Sequence, residues 1–265
     1  IDRIDIPVGD HAYGPVEGLL ELRQAVAHHY NRLYRQGKSS QYTPENVVIA
    51  AGGRTALTRA VAALDEVRVG YFIPDYTAYE DMLSAFRRFT PVLVADTTSE
   101  TFAIDPQMLE KRVLDEKLSA LLISNPCNPT GKVIAGDDLA QWVELARRRN
   151  CTLLLDEFYS HYIWKNAHSQ SPDREGGKLS DIGTAPVSAA AYIDDVNTDP
   201  VILFDGLTKN FRYPGWRLGW AVGPDRAIRN ITAAGSFVDG GPPRPIQRVA
   251  IEVLQPQRAD QETHA

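Results

Sequence analysis

Short apolar runs of strand length recur along this 265-residue chain, and stretches of helical periodicity separate them. That alternation limits the possible folds more than any other feature of the sequence. Ala120–Ser124 and Thr152–Asp156 are almost continuously apolar, as strands covered on both faces must be. Val47–Ala50 and residues 69–73, 92–95, 201–204 and 218–222 complete the predicted strands. Residues 18–36 carry Leu19, Leu22, Val26, Tyr30 and Leu33 at helical spacing. Further helices are predicted over 55–64, 79–89, 106–116 (opened by Pro106) and 137–149, with others starting at Asp225 and Pro245. Strands alternating with helices predict an α/β fold, a three-layer α/β/α arrangement around a mostly parallel central sheet. Such sheets bind ligands beyond the carboxyl ends of their strands. Gly52, Asn128, Asp156 and Lys209 each follow a predicted strand.

Two regions break the pattern. Residues 165–200 are polar, and most of that stretch reads as an extended surface loop, with 256–265 a polar, frayed tail. Residues 1–255 are then one large domain. The composition, 43% hydrophobic and 23% charged, is that of a globular chain. A net charge of −6 gives no general attraction to nucleic acid or to an anionic membrane. No apolar run is long enough to span a bilayer. The first residues lack a signal-peptide pattern, and they also lack an initiator methionine, so the gene can begin further upstream. Two cysteines, Cys127 and Cys151, make no disulfide framework, so a reducing, cytoplasmic setting is expected. Neither lies near a His/Cys cluster, so no metal site is expected, and no histidine near Cys127 supports a nucleophile there.

The chemistry concentrates in Asp205-Gly-Leu-Thr-Lys-Asn-Phe-Arg-Tyr-Pro-Gly-Trp-Arg-Leu-Gly219. Lys209 sits on a turn after a strand, with Arg217 eight positions on. Such a pair suits a lysine that forms a Schiff base with an aldehyde cofactor while an arginine clamps its phosphate. Alone, it suits a surface lysine and arginine beside a Pro-Gly turn equally well. Other candidates complete the set such a cofactor requires. Asp156 ends an apolar run, where a carboxylate is costly unless a cation, such as a protonated pyridine ring, pairs with it. A helix cap is the plainer alternative. Tyr159 stands three residues on, available to a phenolate or to packing. Asn128 lies in Asn125-Pro-Cys-Asn-Pro-Thr-Gly131, where two prolines and a glycine restrict the loop. Ala51-Gly-Gly-Arg-Thr-Ala56 offers close backbone approach and then helix N-terminal N–H groups, a weak signal by itself. Tyr76 is a candidate to stack on a ring, with Tyr79 as its competitor.

Together these motifs, in this order, resemble the class I/II aminotransferases, which are fold type I enzymes using pyridoxal 5′-phosphate (PLP). The resemblance runs from about Tyr13 to about Ala221. It implies Lys209 as Schiff-base lysine and proton shuttle, Asp156 as partner of the pyridinium, Asn128 and Tyr159 at the phenolate, and Tyr76 on the ring. It implies Arg217 and the backbone N–H groups of Gly53 and Arg54 at the phosphate. Tyr13 resembles the tyrosine that reaches a neighbouring subunit's phosphate, which implies a homodimer. An amino acid and a 2-oxo acid would be the substrates.

The chain departs from the family at four points. Gly206 stands where a serine is frequent, leaving Thr208 as the nearby hydroxyl. Arg54 replaces a small residue, and its side chain adds charge. The interval from Asp156 to Lys209 is long. A C-terminal small domain, on the order of 100 residues in related enzymes, is missing from this chain, and weak or absent turnover is therefore expected of it. Two alternatives keep the cofactor and change the function: a lyase or cyclising synthase acting on an amino acid, and a non-catalytic PLP-binding sensor.

Overall fold

A computed structural model describes residues 5–64, 67–86, 89–96, 105–163 and 186–264. Its strands are β1 (Val47–Ala50), β2 (Val67–Ile73), β3 (Phe89–Asp96), β4 (Ala120–Ser124), β5 (Thr152–Asp156), β6 (Val201–Gly206) and β7 (Gly219–Val222). The helices are α1 (Leu20–Tyr34), α2 (Gly53–Ala63), α3 (Ala78–Ala85), α4 (Pro106–Asp115), α5 (Gly136–Arg149), α6 (Asp225–Val238), α7 (Arg244–Val253) and α8 (Pro256–His264).

The seven strands form one sheet in the order β1-β7-β6-β5-β4-β2-β3. All are parallel except β7, which runs antiparallel to both β1 and β6. Successive side chains on a strand point to opposite faces, so each central strand feeds two cores. Leu121, Ile123, Leu153, Leu155 and Leu203 pack with Leu22 of α1, Val113 of α4, Trp142 of α5 and Val253 of α7. Leu122, Leu154, Ile202 and Phe204 pack on the other face with Leu57 of α2, Leu83 of α3 and Ile231 of α6. This is the expected three-layer α/β/α architecture, and double-sided burial is why the strands read as unbroken apolar runs.

Register fixes where the site lies. Ser124 pairs with Asp156, and Asp156 with Phe204, so β4, β5 and β6 end side by side. The turns that follow them therefore open onto one edge of the sheet.

Two expectations need correction. Residues 256–264 are not a frayed tail but the helix α8. Its Ala259 is fully buried, and Arg32 forks onto its Asp260 at 2.8 and 3.2 Å. Of the predicted 165–200 loop, 165–185 lies outside the described residues, while 186–200 is packed and not a surface loop. Ala189, Ala190, Ile193 and Val196 are buried there. The side chain of Arg35 holds this segment by donating to the carbonyls of Ala190 and Ile193, each at 2.9 Å. Polar composition hid both segments because few apolar side chains and a handful of hydrogen bonds anchor them.

Candidate active site

A cavity of about 510 Å³ opens at the carboxyl ends of β4, β5 and β6. It gathers residues from five separate stretches of the chain, and nine of the ten residues singled out from the sequence line it.

The turn from β1 into α2 supplies Gly53 and Arg54. No side chain caps α2, so its first N–H groups remain available to an anion, and the helix dipole favours one there. Gly52 adopts φ 97°, and a Cβ at this position would lie 2.5 Å from Arg217 Nη2. Glycine is therefore what lets the Arg217 guanidinium lie against the helix start. Arg217 also donates to the carbonyl of Pro214 at 3.1 Å.

Asp156, at the end of β5, is 9% exposed. Tyr79 Oη donates to its Oδ2 at 2.6 Å and the Phe158 N–H to its Oδ1 at 3.2 Å. Among the described residues no basic side chain pairs with it. Burial pushes the Asp156 carboxyl up to about 6, against the two hydrogen bonds that favour its ionised form. An uncompensated buried carboxylate of this kind marks a place for a cationic partner.

Lys209 and Thr208, from the turn after β6, also line the cavity. Lys209 Nζ lies 5.7 Å from the centroid of the Tyr159 ring, and Tyr162 Oη donates to the Lys209 carbonyl at 2.9 Å. The next residue, Asn210, is buried. Its Nδ2 donates to Asp205 Oδ1 (2.9 Å), Ser160 Oγ (2.9 Å) and the Glu157 carbonyl (3.1 Å), and its Oδ1 accepts the His161 N–H at 3.1 Å. Lys209 thus stands on a fixed backbone. Gly206 has a local cause as well. A Cβ there would lie 2.6 Å from both Gly219 Cα and the Leu218 carbonyl, so β7 leaves no room for a serine.

Tyr76 and Asn128 come from the turns after β2 and β4. A carboxylate that the sequence reading missed joins them. Asp75 accepts the Tyr76 N–H at 2.7 Å, the Ser124 N–H at 3.1 Å and the Ser124 hydroxyl, and Ser124 Oγ accepts the Asn128 N–H at 3.1 Å. Burial pushes Asp75 up to about 6. The signal available in the sequence was an aspartate in Pro74-Asp-Tyr76 directly after a strand. Arg54 donates to Tyr76 Oη and lies 5.8 Å from the ring centroid. Between the two candidate tyrosines, Tyr76 lines the cavity while Tyr79 is buried beneath it on Asp156.

Tyr13 is the residue left out. It is 97% exposed and does not line the cavity. Cys127 donates weakly to the Pro74 carbonyl at 3.4 Å, and burial followed by the charge of Asp75 raises its thiol, which disfavours the thiolate. No cluster of metal-ligating side chains occurs among the described residues.

The residues present fit PLP. The set contains an uncapped helix start with an arginine against it, a lysine over a tyrosine ring, a buried unpaired carboxylate, and an amide on a tied loop.

Comparison with known proteins agrees with this chemistry. The sequence profile of the family "Aminotransferase class I and II" matches residues 4–265. The chain is 31% identical over 255 residues to a Thermus aquaticus protein named "Probable aspartate/prephenate aminotransferase", covering 95% of this chain and 59% of that protein. It is 29% identical over 252 residues to a Mycobacterium tuberculosis protein named as a probable N-succinyldiaminopimelate aminotransferase, covering 92% and 57%. Among solved structures, a mutant Thermus thermophilus aspartate aminotransferase superposes with a TM-score of 0.78 at 25% identity, over 97% of this chain and 65% of that one. The chain thus spans about three-fifths of the length of these curated relatives.

Proposed function

The chain belongs to the class I and II aminotransferase family, and from that premise we propose that it forms the cofactor-holding domain of a PLP-dependent aminotransferase. The reaction would move an amino group between an amino acid and a 2-oxo acid. PLP, when bound, draws electrons from the α-carbon of the joined amino acid and so eases loss of its proton. The side chains would do the rest. Lys209 Nζ would hold the cofactor covalently and, when free, would take the α-proton and return it. Asp156 would favour a protonated ring nitrogen. Asn128 and Tyr159 would serve the phenolate oxygen, and Tyr76 the ring. The α2 N–H groups of Gly53 and Arg54, with Thr208 and Arg217, would hold the phosphate.

The observation that carries this reading is Asp156, buried with no cation beside it among the described residues, in the same cavity as Lys209 and Arg217, which pair with no carboxylate among those residues. The Arg54 side chain deepens it. It lines the cavity, lies against Tyr76, and has no carboxylate partner among the described residues. We assign it to a second acidic group on the substrate, in line with relatives named for aspartate and prephenate, both dicarboxylates. The exposure of Tyr13, 97%, supports the homodimer reading, in which it would serve the neighbouring site. The free thiols of Cys127 and Cys151 suit a reducing, cytoplasmic setting.

A panel of amino acids with a 2-oxo acid acceptor tests the reading. Formation of a new amino acid, weak in this chain but fastest from acidic donors, is the expected result. Release of ammonia with no new amino acid would replace transamination with elimination.

A further inference from the structure

The turn between β6 and β7 carries both Lys209 and Arg217, and α8 grips it from behind. Glu262 on α8 is only 9% exposed. It accepts from Arg212 Nη2 at 2.9 Å and from Tyr213 Oη at 2.8 Å, and Arg258 Nη2 pairs with it at 2.7 Å. Arg258 also donates to Tyr213 Oη at 3.1 Å. Tyr213 in turn lies flat on Trp216, with centroids 4.1 Å apart and planes 13° from parallel. Trp216 adjoins Arg217. Two residues of this turn hold left-handed backbone conformations, Arg212 at φ 61° and Arg217 at φ 51°. Residues other than glycine adopt these seldom, and only where neighbours hold them. A second line of contact reaches the lysine. Thr263 Oγ1 lies 3.4 Å from His161 Nδ1, and the His161 N–H donates to Asn210, the neighbour of Lys209.

We infer that Glu262 is a positioning residue, which couples α8 to the Lys209–Arg217 turn so that displacing α8 loosens both cations together. An isolated exposed ion pair would not do this. Glu262, itself 9% exposed, instead shares its two oxygens among three donors, two of them on the turn, and such networks are cooperative, although the side chains of Arg212 and Arg258 each remain 42% exposed. Asp260 supplies a comparison within the same helix. It is 49% exposed and ties α8 to Arg32 of α1 without touching the turn. Coupling of this kind is reciprocal, so a ligand that fixes the turn also fixes α8. Only that ligand arm rests on the proposed cofactor.

Amide hydrogen exchange on the whole chain tests the coupling. The amides of Leu207, Arg212 and Tyr213 bond to the carbonyls of Leu218, Lys209 and Leu207 at 3.0, 2.9 and 2.8 Å and report on the turn. In Glu262→Ala their exchange should rise about tenfold, the loss expected of a buried charge-assisted contact. Asp260→Ala should leave them as in the parent, and β4 and β5 should stay protected in both. Affinity for added PLP should fall about tenfold in Glu262→Ala alone. If Glu262→Ala does not fold, Tyr213→Phe, which removes a single hydroxyl, carries the same test with a rise of about threefold. Unchanged exchange in the turn, or an equal rise in Asp260→Ala, would overturn the inference. Turn exchange that responds to Glu262 in a parent chain that binds no PLP would support the coupling and sink the cofactor reading instead.

Discussion

Around the cavity, charges are left without ionic partners among the described residues, whereas Arg147 and Arg59 away from it are matched; Glu157 and Asp205, buried outside the lining, are held by neutral donors alone. Asp75 and Asp156 are buried with hydrogen-bond donors but, among the described residues, no cation. Arg54, Lys209 and Arg217 line the same cavity, and none of them forms an ion pair with a carboxylate among the described residues. Arg147 by contrast forks onto Asp199 at 2.8 and 2.7 Å. Arg59, fully buried, pairs with Asp239 through Nε at 3.0 Å and also donates to the carbonyls of Val16 and Ile49. Asp156 and Asp199 show what a cationic partner changes. Burial raises Asp156 to about 6. It also pushes Asp199 up, but the hydrogen bonds and charge of Arg147, with the Asp194 N–H, outweigh it and hold Asp199 below its usual value. Matched charges specify the fold. Unmatched ones that line the cavity would suit a ligand that carries both signs, as the proposed PLP does.

Substitutions on the two sides should therefore fail differently. Arg59→Ala leaves Asp239 and two carbonyls without their partner and should cost about 3–5 kcal/mol of stability. Denaturant unfolding would show it, while PLP affinity of the folded fraction should stay within about threefold. Asp156→Ala should do the reverse. Affinity for PLP should fall about 100-fold, since the ring nitrogen loses a desolvated partner, and the cofactor-free chain should keep its stability or gain some. An Asp156→Ala chain that binds PLP like the parent would erase the distinction between the regions.

Acid titration of stability sharpens it further. Asp156 has a folded-state value of about 6 against an ordinary 3.8, so the folded state binds more protons between these values. Its contribution to the stability of the cofactor-free chain is present at low pH and is lost as pH rises through about 4 to 6. Glu157, buried and raised to about 8 from 4.5, extends the decline to about pH 8. Asp199 acts with the opposite sign, and its contribution is lost as pH falls through its lowered value. Unfolding measured across pH 4 to 8 should show a shallower decline in Asp156→Asn than in the parent. Asp199→Asn should keep that decline and lose stability at neutral pH. The smallest effect expected is on substrate choice. Arg54→Ala should reduce the preference for acidic over neutral amino donors about tenfold, with little change in PLP affinity. An unchanged preference would remove Arg54 from substrate recognition.

Much of the fold was legible because double-sided burial imposes unbroken apolar runs, as in Leu153 to Leu155, and the chemical residues follow such runs. The direction of β7 was not legible. Four residues, Gly219–Val222, pair antiparallel on both sides, and nothing in so short an apolar segment encodes its direction. The tie between Asp75, Ser124 and Asn128 was also hidden, because it joins turns nearly 50 residues apart through one carboxylate. In α8, Pro-Gln-Arg-Ala-Asp-Gln-Glu-Thr-His reads as solvent-facing, and Ala259 and Glu262 give it a buried side. Lys209, Asp156 and Arg217 were legible because each stands in an ordered motif. Their support from Asn210, Tyr79 and Glu262 was not, because it depends on contacts between distant segments.

The central claim is that the unmatched charges await PLP, and one experiment addresses it most directly. PLP is added to the purified, folded chain, its visible absorption is recorded, and borohydride reduction is followed by mapping of the modified peptide. The account predicts a visible band absent from Lys209→Ala, with the cofactor recovered on the peptide containing Lys209. A folded chain that develops no band, or one in which reduction places the cofactor indiscriminately on surface lysines, would contradict it.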